Sequence, residues 1–189
     1  MRIPLFPLAT VLFPGSTIQL RIFEARYVDM IGKCMRESTQ FGVVPIHSGN
    51  ETTPTSSFYP AGVLTKIVDW NASQEGLLTI TALGTEIFMV ADHRIEDSGL
   101  ITGNIEVKDK KNTTLLAAQN IIKTTQGKFK SLLPLFSKIG LAKPSSVESI
   151  YRLADSLNLP YSIRVKLLMS ENSDQMLELV HNFVLLENT

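Results

Sequence analysis

The sequence has a single cysteine, Cys34, and no long apolar run. One thiol cannot form an internal disulfide, which fits a reducing compartment. Three prolines interrupt the apolar start behind Arg2 and no small-residue cleavage site follows, so the pattern is not that of an export signal. No stretch approaches the roughly 20 apolar residues that a membrane-spanning helix needs. These absences predict a cytoplasmic protein that does not act at a membrane.

An excess of one charge is also lacking, because 18 Lys and Arg residues balance 18 Asp and Glu residues. Up to Lys108 there are 8 basic and 11 acidic residues, a net charge of −3, and beyond it there are 10 and 7, a net charge of +3. RNA-binding surfaces need clustered basic residues with aromatic stacking platforms. The acidic front half therefore disfavours nucleic acid as a partner.

Motifs for nucleotide and nucleophilic chemistry are missing as well. The sequence has no GxxxxGK[ST] phosphate loop and no GxSxG nucleophile elbow. His47, His93 and His181 are widely spaced, and none has a second histidine or cysteine three or four residues away, as a zinc site would favour. The sequence therefore predicts no metal, no cofactor and no enzymatic activity.

Two groups of side chains are candidate chemical sites. Cys34 falls on the apolar face of a predicted helix, which favours a buried structural thiol over an activated nucleophile. Asp92, His93, Glu96 and Asp97 are close enough in sequence to form an acid/base cluster. A charged turn between two strands explains these four residues equally well, and we favour that interpretation.

The first 108 residues are dominated by short β-like runs. Two proline-interrupted strands are joined by a turn at Pro14 and Gly15, and a helix with Phe23, Tyr27 and Cys34 on its apolar face follows. Many short strands with one early helix predict a small closed or nearly closed barrel. The later predicted strands are 41–47, 62–70, 77–83, 86–95 and 100–108.

The apolar period becomes helical after Lys108. Thr113 or Thr114 is expected to cap the first of these helices, Ser145 with Glu148 forms a capping box for another, and Ser173 is expected to cap the last. The pattern predicts a small helical bundle over 109–189. The fold class is therefore α+β, with a β domain at 1–108 and a helical subdomain at 109–189.

Three ordered motifs at the start of the chain carry a family resemblance: PLFPLATVLFPG at 4–15, LRIFEARY at 20–27 and FGVVPI at 41–46. Together they resemble the opening of the Lon N-terminal domain family, the substrate-binding portion of the ATP-dependent Lon protease. The resemblance implies a PUA-like β-barrel followed by helices, and it extends to bacterial proteins that consist of this region alone. The phosphate loop and the serine-containing PKDGPSAG-like segment of Lon proteases are not in this sequence.

The residues that carry the resemblance have two interpretations. Arg21, Glu24, Arg26 and Tyr27 recur in the family, and contact with substrate is one role for them. We favour a structural role, in which Phe23 and Tyr27 face the core, Gly15 supplies turn geometry, and Glu24 with Arg26 forms charged hydrogen bonds that fix the helix.

The resemblance implies a non-catalytic module that binds unfolded or tagged polypeptides and acts as an adaptor for a separate protease. Such a module must expose apolar side chains. Phe58 and Tyr59 follow a polar tract at 47–57, and Trp70 lies beside a predicted hairpin turn. These three are the candidate polypeptide-binding residues, although each could instead pack over the core. The alternatives are an RNA-binding PUA-like module and, below it, a peptidase-related hydrolase.

Overall fold

The computed structural model describes residues 1–52, 57–72, 77–108, 115–141 and 146–187. The chain divides into two compact units, Met1–Lys108 and Asp109–Thr189. The first contains one helix, α1 (Ala25–Glu37), and a sheet. Its strands are β1 (Arg2–Leu8), β2 (Thr17–Ile22), β3 (Phe41–Ser48), β4 (Ser57–Phe58), β5 (Ala61–Ala72), β6 (Leu78–Ile95) and β7 (Ile101–Val107).

Five of the strands pair in a closed ring. Their order is β1, β7, β6, β5 and β3, and β3 returns to pair with β1. The β1–β3 pair is parallel and the other pairs are antiparallel. Two strands lie outside the ring, because β4 pairs with β3 and β2 pairs with β6. The first unit is therefore α+β with a largely antiparallel sheet.

The interior of the ring is filled by aliphatic side chains around Phe88. Leu5 of β1 lies between Ile101 of β7 and Gly42 of β3, and it is fully buried. A Cβ atom at Gly42 would come within 2.6 Å of the Phe88 ring, and one at Gly62 would also meet that ring. The two glycines therefore leave the space that the large ring occupies.

The long strand β6 corrects the prediction of separate strands at 77–83 and 86–95. Gly84 and Thr85 have the composition of a turn, yet the ladder continues through them. The N–H of Gly84 donates to Ser16 O at 3.0 Å, and Gly84 O accepts from the N–H of Gly15 at 2.9 Å. Gly15 has a φ of +84°, which confirms the predicted turn after Pro14. The turn before β2 thus stabilises the middle of β6.

Helix α1 confirms most of the predicted apolar face. Tyr27, Met30, Ile31 and Cys34 are buried. The prediction for Phe23 is wrong, because the helix begins at Ala25 and the Phe23 side chain is 69% exposed. Phe23 lies in the link between strand and helix, where helical spacing does not determine which way a side chain points.

Six α-helices are present in the described part of the chain, and five of them belong to the second unit. The N-cap of one helix is Ser146, whose Oγ accepts from the N–H of Ser149 at 3.3 Å, and the predicted cap of the last helix is displaced. At the last helix the Oδ1 of Asn172 accepts from the N–H of Gln175 at 3.0 Å. Positions 113, 114 and 145 lie outside the described residues. The helices are α2 (Leu115–Gln126), α3 (Leu133–Lys138), α4 (Val147–Ser156), α5 (Tyr161–Met169) and α6 (Ser173–Glu187), with a 3-10 turn at Lys130–Leu132.

In the described part of the chain, every helix is too short or too polar to cross a lipid bilayer.

Candidate functional site

A cleft of about 360 Å³ opens along β2 in the first unit. Its volume lies in the range of protein binding pockets. Consecutive residues of β2 line it, so the cleft follows the length of the strand and not only one of its faces. The lining residues are Phe6, Leu8, Thr10, Ile18, Gln19, Leu20, Arg21, Ile22, Phe23, Glu24, Tyr27 and Glu51.

Stacked aromatic rings form part of the wall that faces β2. The rings of Phe6 and Tyr27 lie 3.9 Å apart between centroids at an angle of 17°. Both side chains are buried, and the Arg26 guanidinium carbon lies 4.6 Å from the centroid of the Tyr27 ring. This wall joins β1 to the first turn of α1, and it presents flat apolar surface with little conformational freedom.

The buried Arg26 guanidinium links separate segments of the chain beside the cleft. It forms an ion pair with the Glu24 carboxylate at 2.8 Å and donates to Gly99 O at 2.8 Å. It also donates to Glu51 O and Thr52 O, each at 3.4 Å. Because Glu24 binds Arg26, its side chain does not cap the helix, although Glu24 is the N-cap residue. The predicted charged hydrogen bonds between Glu24 and Arg26 are confirmed.

The carboxylates beside the cleft are already engaged. The Oε1 of Glu51 accepts from the N–H of Ala9 at 2.7 Å, and Glu24 is paired with Arg26. The pKa of Tyr27 is raised to about 12, chiefly by burial, with Arg26 lowering it and the Glu24 and Glu51 carboxylates raising it. The phenol therefore stays protonated at neutral pH, and the cleft wall carries no extra negative charge from it.

Two exposed side chains stand at the mouth of the cleft. Phe23 is the most exposed aromatic residue in the described part of the chain. Arg21 is also exposed, and within that part it makes neither an ion pair nor a side-chain hydrogen bond. The cleft thus combines an apolar interior with one unmatched positive charge. The prediction from the sequence placed Phe23 in the core and so missed this site. The change from strand to helix at 22–25 was the available signal, because a residue in that link follows neither the strand period nor the helix period.

The structure places Trp70 away from the other two candidate binding residues, Phe58 and Tyr59. Trp70 lies on β5 opposite Ile80, near the start of β6, and is 55% exposed. Phe58 is half-buried against the core of the ring, with its ring 4.8 Å from that of His93 near the end of β6. Tyr59 is half-buried too, and its ring meets the His47 ring edge-on at 5.0 Å. Trp70 therefore lies at the opposite end of β6 from Phe58.

The group around His93 is a structural network. Asp92 forms an ion pair with Arg2 at 2.9 Å and accepts from the Asn104 amide. Glu96 is in the turn before β7, where hydrogen bonds from Thr102 and then Arg94 lower the pKa of its carboxyl. The predicted charged turn therefore holds for Glu96 and Asp97, whereas Asp92 and His93 belong to strand β6. In the described residues, no three His, Cys, Asp or Glu side chains are grouped as metal ligands.

A second cleft of about 510 Å³ lies between α1 and β1. Cys34 lines it and is buried, as predicted, and burial raises the pKa of its thiol. A thiol with a raised pKa is a weak nucleophile at neutral pH. Along Arg2–Leu5, β1 is already paired with β7, and β3 pairs with β1 from Leu5 onwards. This cleft therefore offers less unpaired backbone than the cleft along β2.

Comparison with protein families identifies the family of this chain. The sequence model of the ATP-dependent protease La (LON) substrate-binding domain matches residues 2–185. The chain belongs to this family. No curated protein sequence matches it.

Solved structures of Lon N-terminal domains are similar over the whole chain. The crystal structure of a Lon N-terminal domain protein from Xanthomonas campestris has a TM-score of 0.77 and 28% sequence identity, covering 95% of this chain and 96% of that one. The N-terminal domain of a Mycobacterium avium complex Lon protease has a TM-score of 0.61 and 13% identity, covering 96% and 97%. The second likeness concerns the fold alone. The predicted resemblance to the Lon N-terminal domain family is confirmed.

Proposed function

We propose that this Lon-family chain is a non-catalytic polypeptide-binding module that takes segments of unfolded or tagged proteins at the cleft along β2. The observation that carries the proposal is the exposed Phe23 ring at the mouth of an apolar cleft, in a chain that belongs to a substrate-binding domain family. Unfolded polypeptides differ from folded ones by exposing apolar side chains. An apolar cleft with an exposed aromatic rim can bind those side chains.

Phe58, Tyr59 and Trp70 remain proposed contributors. Trp70 has the exposed area that a binding residue needs, whereas Phe58 and Tyr59 offer only part of their rings. A long substrate could reach Trp70 from the cleft, because β2 and β5 flank the same part of β6. Strands in a sheet lie about 5 Å apart, so β2 and β5 are separated by about 10 Å.

The wider setting of this function is also a proposal. The module acts in the cytoplasm, where Cys34 stays reduced. It delivers its bound polypeptides to a separate protease. We also propose that the first unit is the PUA-like barrel that the family resemblance implies, and the closed ring of strand pairings supports this.

Replacing the exposed aromatic ring tests the proposed site. We expect Phe23→Ser to weaken binding of a reduced and alkylated model protein by about tenfold, because the ring supplies the largest exposed apolar area at the cleft. Fluorescence anisotropy of the labelled model protein measures this affinity. Ile95→Thr is the matched control, because Ile95 is an exposed apolar residue of the same unit that does not line the cleft.

Equal losses in the two variants would show that exposed apolar area in general, and not this cleft, binds the polypeptide. Retention of RNA alone by the wild-type chain would reject the proposal in favour of a nucleic-acid-binding module. Since RNA affinity falls steeply with salt concentration, a salt titration separates these outcomes.

A further inference from the structure

The edge of β2 that faces away from β6 has an ordered set of backbone groups. In antiparallel pairs, hydrogen-bonded and non-hydrogen-bonded positions alternate. The N–H of Gly84 donates to Ser16 O, and the register then runs without a shift from Thr17 opposite Leu83 to Ile22 opposite Leu78. This alternation directs the N–H and C=O groups of Ile18, Leu20 and Ile22 towards β6, and those of Gln19 and Arg21 away from it.

The outward-facing groups of Gln19 and Arg21 have no protein partner in the part of the chain that the structure describes. Strand β2 pairs there with β6 alone, and no other backbone or side-chain hydrogen bond reaches these two residues. The segment from Thr17 to Ile22 contains neither a bulge nor a proline. Both features normally protect a strand edge from pairing with another chain.

Another open edge of the same sheet, on β5, carries such protection. Strand β5 pairs with β3 only as far as Thr65 in the described residues, so its second half is also an edge. There the register shifts between Ile67 and Asp69. The Oδ1 of Asp69 accepts from the N–H of Trp70 at 2.9 Å, and this side chain occupies a donor that an added strand would need. The β5 edge is thus closed to pairing, whereas the β2 edge is regular.

We propose that the β2 edge binds an extended polypeptide segment as an added strand, with every second side chain of the segment entering the cleft. The inference deepens the proposed function and rests on it. Donors and acceptors of Gln19 and Arg21 would bind the backbone of the segment irrespective of its sequence. Ile18, Leu20 and Ile22 share one face of β2, where Leu20 and Ile22 are already buried, so apolar side chains of the segment on that face would extend the apolar layer at alternate positions.

Charge complementarity indicates which residue type the bound segment prefers on its other face. Glu24 and Glu51 are engaged, so Arg21 is the unmatched charge at the cleft. The Arg21 side chain points to the face opposite to Leu20, because successive side chains of a strand alternate. A segment residue directly across from Arg21 points to the same face. The preferred substrate is therefore an extended segment with alternating apolar residues and an acidic residue between two of them.

A pair of backbone-methylated peptides tests strand addition with the unaltered protein. The probe is a peptide of roughly eight residues, the length of a typical strand with short ends, with leucine at alternate positions and serine or glutamate between them. One version carries N-methyl groups on the leucines, and the other carries them on the intervening residues. Only one alternating set of amides can face β2, so one version should bind like the parent and the other about tenfold or more weakly.

The identity of the tolerated version gives the strand direction. Weak binding of the version methylated on the intervening residues indicates antiparallel addition, and weak binding of the leucine-methylated version indicates parallel addition. Equal affinities of the two versions would overturn strand addition while leaving polypeptide binding intact. Failure of both the parent peptide and an unfolded protein to bind would instead reject the proposed function.

Hydrogen exchange and one variant pair provide a second measurement. Binding of the parent peptide should protect the amides of Gln19 and Arg21 while leaving those of Leu20 and Ile22 unchanged. Gln19→Pro removes one outward donor and should bind the peptide about tenfold more weakly than Gln19→Ala, which lacks the same side chain but keeps the N–H. Protection of these amides without peptide, together with a concentration-dependent dimer mass, would show that a second copy covers the edge and would overturn the proposal.

Discussion

Arg21 and Arg26 belong to one short segment, yet their surroundings are opposite. Arg26 is buried with an ion pair to Glu24 and three carbonyl acceptors, whereas Arg21 is exposed. Removing one partner of a buried ion pair leaves the other charge uncompensated. We therefore expect Arg26 to affect the stability of the fold and Arg21 to affect the proposed polypeptide binding.

We predict that Arg26→Met lowers the free energy of unfolding by about 2–4 kcal/mol, because Glu24 and three carbonyls lose their partner. Arg21→Met should change it by no more than about 0.5 kcal/mol. Urea denaturation followed by the fluorescence of Trp70, the single tryptophan, measures both values in the first unit. Similar losses of unfolding free energy in the two variants would contradict the stabilising role assigned to Arg26.

The Tyr27 phenol makes stability depend on alkaline pH. Burial raises its pKa from 10.0 to about 12 in the folded chain. Between these values the unfolded chain has lost the proton that the folded chain keeps, so the free energy of unfolding falls as pH rises. The slope is at most about 1.4 kcal/mol per pH unit.

Tyr27→Phe removes this titration and keeps the ring that stacks on Phe6. We expect the free energy of unfolding of Tyr27→Phe to exceed that of the wild-type chain increasingly as pH rises above 10.0, the unshifted value. Urea denaturation of both proteins at several pH values gives this difference. Burial also raises the pKa of Tyr151, but that residue is common to both proteins and cancels. If the free energies of unfolding of the two proteins changed in parallel with pH, Tyr27 would have the same pKa in the folded and the unfolded chain.

For single residues, the sequence predicted contacts between neighbouring side chains better than it predicted which side chains are exposed. Glu24 and Arg26 are two positions apart, and their ion pair followed from charge and proximity. The exposure of Phe23 did not, because an aromatic residue four positions before Tyr27 has the spacing of a helical face. Phe23 is removed from that face because the helix begins only at Ala25.

Strands β3, β5 and β6 meet around the Phe88 ring, and glycine at two positions permits the contact. A Cβ atom at Gly62 would meet the Phe88 ring and would lie 2.6 Å from Val43 O. The carbonyl belongs to a strand backbone and cannot move without disturbing the ladder. Overpacking of this kind typically costs about 1–3 kcal/mol.

We predict that Gly62→Ala lowers the free energy of unfolding by about 1–3 kcal/mol, whereas Gly32→Ala lowers it little or raises it. Gly32 lies in α1, where a Cβ atom would meet only the flexible end of Arg36 at 3.3 Å. Thermal unfolding followed by circular dichroism distinguishes them. A neutral effect at Gly62 would mean that Phe88 can shift without loss.

The elements themselves were predicted with errors at their ends and junctions. Local composition suggested a break at Gly84, but hydrogen bonds to the turn at Gly15 carry β6 through that point. The first residues of helices α4 and α6 were misplaced because several neighbouring Ser and Asn residues can each act as a cap. Strand order lay beyond sequence patterns, since the parallel β1–β3 pair joins residues that α1 separates.

At the level of the whole molecule, membership in the Lon substrate-binding family was predicted from the first 46 residues and holds for 2–185. The site could not be predicted in the same way. Its walls combine Phe6, Leu20, Tyr27 and Glu51, which come from four separate parts of the sequence. A motif search finds the segments, whereas the cleft exists only after the ring of strands has formed.

We propose that this chain binds polypeptides because they are unfolded. The most direct measurement compares one labelled model protein in its native form with the same protein after reduction and alkylation, titrated with the wild-type chain at low and at moderate salt. We predict saturable binding of the unfolded form with a dissociation constant on the order of micromolar, little change with salt, and no binding of the native form. Equal binding of both forms, or binding that salt or nuclease treatment abolishes, would contradict the claim.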